Sequence, residues 1–386
     1  MSKIQINILI DAIGWELVDR NNFLKDDFVC RKKAKTILGY SSAAQPTILT
    51  GKLPNQHEQW AMFYYKPEGS VFKGLGLGLL DLLPSKIVHN HRIVRRLTNF
   101  IKKLRNITNY FYLYRIPFKK LNIFELSGLD DIYQPKAFKT CESIFDILSE
   151  KEIPYKVWNW EVPTELGFKE LSEAIESKQY QFLFLYSPVM DSLMHAVGTK
   201  DEKVALKLNW FEEKVRAVRE LAEKTYDDVE INIFSDHGMT DTKTTFDLMG
   251  HINKFTLNMG FSEGTDYLAF YDSTMARFWF FNDKARKMIN KCLKTQEYGK
   301  ILSEKEMKEL GIYFEDSRYG SLVFLLDPGY LIVPSYMGDR WVNAMHGFSP
   351  NDEFSDAVFI SNKTPDFEIK HIKDFFIVMK NYISTL

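Results

Sequence analysis

Apolar residues along the chain fall into short continuous runs that alternate with longer amphipathic stretches. Three runs, INILI, FLFLYS and INIFS, are rich in β-branched and aromatic residues, which is typical of strands buried on both faces of a parallel sheet. Helical patterns such as FKELSEAIES and VALKLNWFEEKVRAVRELAEKTY separate them. This alternation predicts an α/β fold with a mostly parallel central sheet and helices on both faces.

The alternation of strands and helices fails between residues 62 and 135. GLGLGLLDLLP, the basic stretch HNHRIVRRLTNFIKKLR and the aromatic NYFYLYRIPF predict an inserted cap of helices and loops there. We therefore assign residues 1–61 and 136–386 to a discontinuous core and residues 62–135 to the cap. Residues 258–334, within the core, contain YLAFYDSTMARFWFF and SLVFLLDPGYLIVP, which predict an edge hairpin system or a second small lobe.

Composition narrows the class of protein. The 386 residues are 45% hydrophobic and 26% charged, as in soluble globular proteins. Three cysteines lie far apart without a CxxC pair, which argues against a disulfide framework and favours a reducing compartment. Polar residues interrupt the N-terminal apolar run, unlike a signal peptide, and the window 71–88 carries too many charges for a membrane-spanning helix. We therefore expect a cytoplasmic protein.

Polar side chains follow the three predicted strands where each one ends. The first strand delivers Asp11, the second is followed by Asp191 and His195, and the third by Asp236 and His237. Ligands collect in the crevice outside the carboxyl ends of the strands in an open α/β sheet. Carboxylate and imidazole together suit divalent metal ions. The pattern therefore predicts one site at which these side chains converge.

Each candidate ligand also has a structural interpretation. Asp11 can cap the following helix, Asp236 can cap a turn beside a structural histidine, and His346 in AMHGF can be a surface turn residue. The occurrence of all these candidate ligands in one chain, together with a serine in GYSSAAQPTILTG, favours a functional site over separate structural roles. Together these residues suffice for two metal ions with a nucleophile between them.

The order of these residues resembles the alkaline phosphatase superfamily. The matching positions are Asp11, Ser41 followed by LTG at 49–51, Asp191 with His195, Asp236 with His237, and His346. Within the superfamily the chain is most similar to the type I phosphodiesterase and nucleotide pyrophosphatase branch. The resemblance covers both ends of the core and leaves residues 62–135 and much of 258–334 unmatched.

The resemblance implies a two-metal hydrolase of phosphate esters. One metal would be held by Asp191, His195 and His346, and the other by Asp11, Asp236 and His237 together with Ser41. In the family the nucleophile lies ten residues before the Gly of the LTG element, which gives Ser41, with Ser42 as the neighbouring alternative. We expect a phosphoserine cycle with zinc, or with manganese, acting on phosphodiester or pyrophosphate bonds.

Other substrates stay open at this point. The branch usually carries an Asn about eight residues after Pro54, and EQWAMFYY holds none. A phosphomonoesterase or phosphomutase-like enzyme acting on a sugar- or lipid-linked phosphate is therefore the alternative. A sulfatase is disfavoured, because SSAAQP lacks the Arg of the sulfatase motif. For Arg277, a salt-bridged residue of a core strand is favoured over a phosphate ligand. No substrate-binding residue or oligomeric state is assigned.

The net charge of −1 is unevenly distributed. Residues 66–120 hold twelve Lys or Arg against Glu68 and Asp81, a balance of +10 that leaves −11 for the rest of the chain. The basic residues are interleaved with Phe72, Leu75, Leu79, Leu80, Phe100, Tyr110, Phe111 and Tyr112. This pattern favours an interfacial helix on anionic lipid at the inner membrane face. A solvated helix face is the alternative, and nucleic acid ranks lower.

A membrane-surface binding protein that kept the fold and lost catalysis is the competing functional hypothesis. The complete set of ligand types argues against it, because a decayed site would have lost at least one of them.

Overall fold

The computed structural model describes residues 2–386. Its strands in this range are β1 (Lys3–Ile10), β2 (Cys30–Ala34), β3 (Phe63–Tyr65), β4 (Phe124–Leu126), β5 (Tyr155–Trp158), β6 (Phe182–Ser187), β7 (Asp228–Phe234), β8 (Thr240–Asp241), β9 (Thr244–Phe246), β10 (Tyr267–Tyr271), β11 (Met275–Phe280), β12 (Gly299–Ile301), β13 (Leu322–Leu326), β14 (Tyr330–Ile332), β15 (Ala344–Met345) and β16 (Ala357–Ser361).

The helices of the same range alternate with these strands. They are α1 (Trp15–Arg20), α2 (Ser41–Thr50), α3 (Pro54–His57), α4 (Ser85–Val88), α5 (His91–Arg105), α6 (Ile144–Glu150), α7 (Thr164–Ser177), α8 (Val189–Val197), α9 (Glu202–Thr225), α10 (Leu248–Asn258), α11 (Asp283–Leu293), α12 (Glu304–Glu309) and α13 (Asp374–Ile383), with 3₁₀ turns at Leu77–Leu82, Phe118–Asn122 and Glu353–Ser355. Within residues 2–386 no helix is long and apolar enough to cross a membrane.

The chain forms two compact units. The first consists of the residues up to His57 together with Ile132–Asp241 and Val342–Leu386, and the second of Glu58–Asp131 and Thr242–Trp341. Each unit has its own hydrophobic core.

A six-stranded sheet in the order β2-β16-β7-β1-β6-β5 is the centre of the first unit. The four strands β7, β1, β6 and β5 run parallel, and β16 is antiparallel to its neighbours β2 and β7. Ile6 and Ile8 of β1 share one core with Leu171 of α7 and Leu208 of α9. Elsewhere on the sheet, the ring of Phe234 in β7 contacts the ring of Phe375 in α13. The predicted α/β fold with a mostly parallel sheet is confirmed.

An antiparallel sheet in the order β10-β11-β13-β12 is the centre of the second unit. The antiparallel pair of strands β3 and β4 packs on it through Phe63 and Phe124, whose rings contact Phe270. The segment predicted as a separate cap therefore shares one core with residues 242–341, which the sequence analysis had assigned to the α/β core. Aromatic packing between segments far apart in the chain accounts for this difference in boundaries.

Candidate active site

The candidate site forms in the first unit where its parallel strands end. Asp11 directly follows β1, and Asp236 comes two residues after β7. Asp191 lies in the first turn of α8, which follows β6 after one proline. Because β6, β1 and β7 are parallel neighbours, their carboxyl ends lie at the same edge of the sheet. The topology therefore delivers three carboxylates to one place.

Two glycines allow the loops after β1 and β7 to approach each other. A Cβ atom on Gly14 would lie 2.4 Å from the Cα of Gly238, and one on Gly238 would lie 2.1 Å from the carbonyl oxygen of Phe354. Ala12, next to Asp11, has a φ of 65°, which is uncommon for a residue with a side chain. The local backbone is thus held in a demanding conformation beside the site.

Asp11, Asp236 and His237 form the first group of candidate ligands. Their ligand atoms lie within 4.8 Å of one another. The Nε2 atom of His237 is 3.4 Å from Asp11 Oδ1 and 3.5 Å from Asp236 Oδ2. The Nδ1 atom of His237 lies 3.0 Å from the carbonyl oxygen of Gly238, which can only accept a hydrogen bond, so Nδ1 is the donor. Nε2 then presents a lone pair to both carboxylates.

Asp191, His195 and His346 form the second group, also within 4.8 Å. Asp191 Oδ1 lies 3.1 Å from His195 Nε2 and 3.4 Å from His346 Nε2. His195 donates from Nδ1 to the carbonyl oxygen of Ala344 at 2.8 Å, which orients the ring so that Nε2 faces Asp191. The rings of His346 and His237 stack with centroids 3.9 Å apart, so the two groups adjoin.

Ser41 connects helix α2 to the first group of ligands. It is the first residue of α2, and its Oγ lies 2.9 Å from His237 Nε2, to which the hydroxyl can donate. The helix ends at Thr50 and is capped by Gly51, whose φ of 67° lies in the left-handed region that favours glycine. Of the two serines considered, Ser41 is the one whose hydroxyl contacts His237.

Burial and neighbouring charges shift the pKa values of several candidate ligands. Burial raises the pKa of Asp11 well above its ordinary value, and the nearby Asp236 and Asp191 raise it further. Burial lowers the pKa of His346 well below its usual value, and His237 adds to this effect. Burial acts to raise the pKa of Asp191, but the adjacent His195 lowers it by more. Positive charge is therefore lacking at Asp11, whereas Asp191 is stabilised by His195, whose own pKa is raised by this contact against the effect of burial.

Several buried polar atoms of the site have no hydrogen-bond partner among the described residues. They are Asp11 Oδ1, Asp191 Oδ1, Asp236 Oδ2 and His346 Nδ1. Asp11 Oδ1 and Asp236 Oδ2 are the same atoms that lie 3.4 and 3.5 Å from Nε2 of His237. Unpaired carboxylate oxygens beside an Nε2 without a hydrogen are unfavourable in a buried site unless a cation lies between them. The donor set, three carboxylates and three imidazoles, fits divalent cations.

A sequence model of type I phosphodiesterase / nucleotide pyrophosphatase matches residues 6–349. The chain belongs to this family. The match covers nearly the whole chain and includes both units, and the family lies within the alkaline phosphatase superfamily that the sequence resembles. The protein is therefore a hydrolase of the nucleotide pyrophosphatase/phosphodiesterase type.

Solved structures with the same fold include murine and human ectonucleotide pyrophosphatase/phosphodiesterase 5. The murine protein has a TM-score of 0.68 at 14% identity, over 99% of this chain and 95% of its own. The human protein gives the same TM-score and coverage at 13% identity. An inactive Thr→Ala variant of the murine protein, in complex with AMP, matches with a TM-score of 0.68 at 13% identity over 100% of this chain and 95% of its own. No curated protein sequence matches the chain.

The structure brings all seven predicted residues into one region of the first unit. Asp11 does not cap α1, whose N-cap is Gly14, and His346 is only 7% exposed, so neither structural interpretation fits its residue. The roles of the seven residues stay predictions.

Two residues that support the site were missed in the sequence. Tyr186 donates its hydroxyl to Asp11 Oδ2 at 2.5 Å, and Thr36 donates to the backbone carbonyl of Asp236 at 2.7 Å. Tyr186 is one of several aromatic residues in the strand FLFLYS, and only the register of β1 against β6 distinguishes it. A sequence pattern alone carries no signal for this contact.

Proposed function

We propose that this protein hydrolyses phosphodiester or pyrophosphate bonds through a covalent phosphoserine at Ser41, with two divalent cations. One observation carries the proposal: two groups of buried or partly buried ligand-type side chains adjoin, and each contains a carboxylate oxygen without a hydrogen bond, close to one serine hydroxyl. The residues that would hold the cations are Asp191, His195 and His346 for one, and Asp11, Asp236, His237 and Ser41 for the other. Zinc is the first candidate for this donor set and manganese the second.

Ser41 is placed to attack a phosphorus atom and to hold the resulting phosphate. The first backbone N–H groups of an α-helix have no partner within the helix, and the helix dipole favours an anion there. In the first step Ser41 Oγ loses its proton to water and forms a bond to phosphorus, the bond to the leaving oxygen breaks, and that oxygen departs with the electron pair and takes up a proton from water. In the second step water attacks phosphorus and loses a proton, the bond between phosphorus and Ser41 Oγ breaks, and Oγ keeps the electron pair and regains a proton. When bound, divalent cations lower the pKa of a coordinated oxygen and stabilise charge on a departing one.

Protein groups around Ser41 hold the ligands in place. Tyr186 fixes one oxygen of Asp11, and the backbone N–H of Ala12 donates to Asp236 Oδ1 at 3.4 Å. Each carboxylate is thereby held by one oxygen and presents the other. Such supporting contacts affect metal affinity by about 10- to 100-fold in known sites.

The substrate class rests on the family and on its relatives. The murine relative's complex with AMP supports nucleotide esters as the first substrates to test. Position 62 is Met where the branch usually has Asn, so a phosphate monoester belongs in the same assay. We also propose a cytoplasmic location, because Cys30, Cys141 and Cys292 are free thiols.

The test is hydrolysis of three nitrophenyl esters, a nucleotide diester, a simple diester and a monoester, in zinc, manganese or chelator. We expect chelation to abolish hydrolysis, a diester to be preferred, and Ser41→Ala to lower turnover by about a thousandfold or more because the nucleophile is lost. Ser42→Ala is the matched control and should retain most activity.

Mass measurement of the acid-quenched chain tests the covalent step. A phosphoryl adduct, which still carries the retained alcohol when the substrate is a diester, is expected in the wild type and in Ser42→Ala, and none in Ser41→Ala. Full activity of Ser41→Ala, or an adduct retained on it, would contradict the proposal.

A further inference from the structure

An exposed apolar surface lies in the second unit, between residues 79 and 110. Of the eighteen large hydrophobic side chains exposed in residues 2–386, eight belong to this segment: Leu79, Leu82, Leu83, Ile87, Ile93, Phe100, Leu104 and Tyr110. Leu82 is 82% exposed and Leu79 is 70% exposed, so neither contributes much to the core. Phe72 and Phe111, which the sequence pattern suggested for the same surface, are buried. Scattered apolar residues are ordinary on a protein surface, whereas a concentration of them marks an interaction site.

Helix α5 shows how this surface is organised, because residues four, seven and eleven positions apart form rows along a helix. The row that faces the core is Val94, Thr98 and Ile101. The next row around the helix is apolar but exposed: Ile93, Phe100 and Leu104. The row beyond that is basic and exposed: Arg92, Arg96 and Lys103. One side of α5 fills the core, and the opposite side presents apolar and basic rows to the solvent.

The segment that contains α5 carries basic residues and no acidic ones. Residues 82–124 contain no Asp or Glu. Within residues 2–386, none of the following forms an ion pair: Lys86, Arg92, Arg95, Arg96, Lys102 and Lys103. By contrast, Arg115 pairs with Asp339 and Lys120 with Glu263. The cations near the exposed apolar row are therefore available to an external anion.

We propose that this surface docks on a bilayer of anionic lipid, with α5 lying in the plane of the headgroups. Ile93, Phe100 and Leu104 would enter the boundary between headgroups and acyl chains, while the basic row contacts lipid phosphates. Contact with the same surface of a second copy is disfavoured, because a two-fold interface would bring the unpaired cations together. An acidic protein would satisfy the cations, but the apolar row favours a lipid surface. The docking does not depend on the proposed hydrolase activity.

The test is co-sedimentation of the full chain with vesicles of phosphatidylcholine alone or with about one-third phosphatidylserine. We expect binding only to the mixed vesicles, and weaker binding as salt increases. Neutralising Arg92, Arg96 and Lys103 to Gln should weaken binding roughly fivefold per cation, about a hundredfold in total. Ile93→Gln with Phe100→Gln and Leu104→Gln should weaken it more than about tenfold, because the buried apolar area is lost.

Matched controls separate this surface from general charge and hydrophobicity. Arg95→Gln with Lys102→Gln removes two cations of the same helix from a different row and should weaken binding by a smaller factor per charge. Leu206→Gln with Leu257→Gln removes two leucines that are 59% and 76% exposed elsewhere, and should leave binding unchanged. Unaltered ester hydrolysis and circular dichroism would show that the variants are folded.

Three outcomes would overturn the proposal. The first is that the wild type does not bind the mixed vesicles, and the second is that it binds neutral vesicles equally well. The third is that the control variants lose as much vesicle binding as the variants of the proposed surface. Self-association in ultracentrifugation that the triple apolar variant abolishes, without vesicle binding, would instead assign the surface to a second copy.

Discussion

At the candidate site of the first unit the buried Asp11 and Asp236 adjoin with no lysine or arginine paired to them among the described residues, whereas in the second unit the buried Asp272 is paired with a buried arginine. Asp272 Oδ2 accepts from Arg277 Nε at 2.8 Å, and Arg277 also donates to the carbonyl oxygen of Phe63 at 2.9 Å. In the first unit Asp11 and Asp236 each leave one buried oxygen without a hydrogen bond. The same residue type therefore serves different ends in the two units.

The difference follows from how each unit treats the cost of burying charge. A buried charge is costly unless it is paired, and a pair that satisfies itself has no need of a ligand. In the second unit Asp272 and Arg277 compensate each other's charge, as predicted for Arg277. At the candidate site the free-energy cost of burying Asp11 and Asp236 remains, and a bound cation would lower it. Three substitutions test this contrast.

The largest expected effect on stability is in the second unit. Asp272→Asn keeps the shape of the side chain but leaves the fully buried guanidinium of Arg277 without a counter-charge. Because arginine does not lose its proton in proteins, we expect the free energy of unfolding to fall by about 3–5 kcal/mol. Urea unfolding measures this change.

The control in the same unit is Glu309→Gln, which breaks the exposed ion pair with Lys305 and should cost less than about 1 kcal/mol. Replacing both members of the buried pair, by Asp272→Leu with Arg277→Met, should recover much of the loss. If Asp272→Asn is as stable as the wild type, the second unit does not depend on its paired charges.

A buried histidine outside the site gives the next effect. Burial lowers the pKa of His57 to about 3, and its Nε2 lies 3.1 Å from Thr47 Oγ1. The unfolded state therefore binds a proton at a higher pH than the folded state, so stability is complete above the unfolded pKa and falls as pH decreases. Between about pH 7 and about pH 4 this group alone should cost about 3 kcal/mol.

Unfolding curves across that range, compared for the wild type and His57→Gln, isolate the contribution. The variant should show the flatter dependence on pH, and His91→Gln at an exposed position should follow the wild type. Parallel curves for wild type and His57→Gln would mean that the acid sensitivity of the first unit arises elsewhere, including in the candidate site.

The features that could be predicted from sequence are those that follow from one strand at a time. The run INILI predicts β1, and Asp11 must then lie at its carboxyl end. Parallel strands deliver their ends to the same edge, so Asp11 and Asp236 could be placed together without knowing the strand order. Helix α2 could be ended at Gly51 because the left-handed conformation favours glycine.

The features that escaped prediction depend on contacts between distant segments. Phe63 and Phe270 share a core although about two hundred residues separate them, and no local pattern announces that pairing. The support of Asp11 by Tyr186 depends on the register of β1 against β6. Counting from Gly51 favours Ser41, but the distance to His237 is what separates it from Ser42.

The smallest expected effect on stability belongs to Asp11 and has the opposite sign. Asp11→Asn removes a carboxylate whose pKa is raised by burial first and then by Asp236 and Asp191. The new amide can still accept from Tyr186 and can donate to Asp236, so a repulsion is replaced by a hydrogen bond. In chelator we therefore expect the variant to be more stable than the wild type by about 1 kcal/mol. In zinc the order should reverse, since a ligand at 100 times its Kd stabilises the wild type by about 2.7 kcal/mol and the variant binds it poorly. Thermal unfolding in chelator and in zinc measures both arms, with Asp19→Asn at an exposed position as the control. If Asp11→Asn is destabilising in chelator, the Asp11 carboxylate stabilises the fold without a metal, and the proposed contrast between the two units is wrong for Asp11.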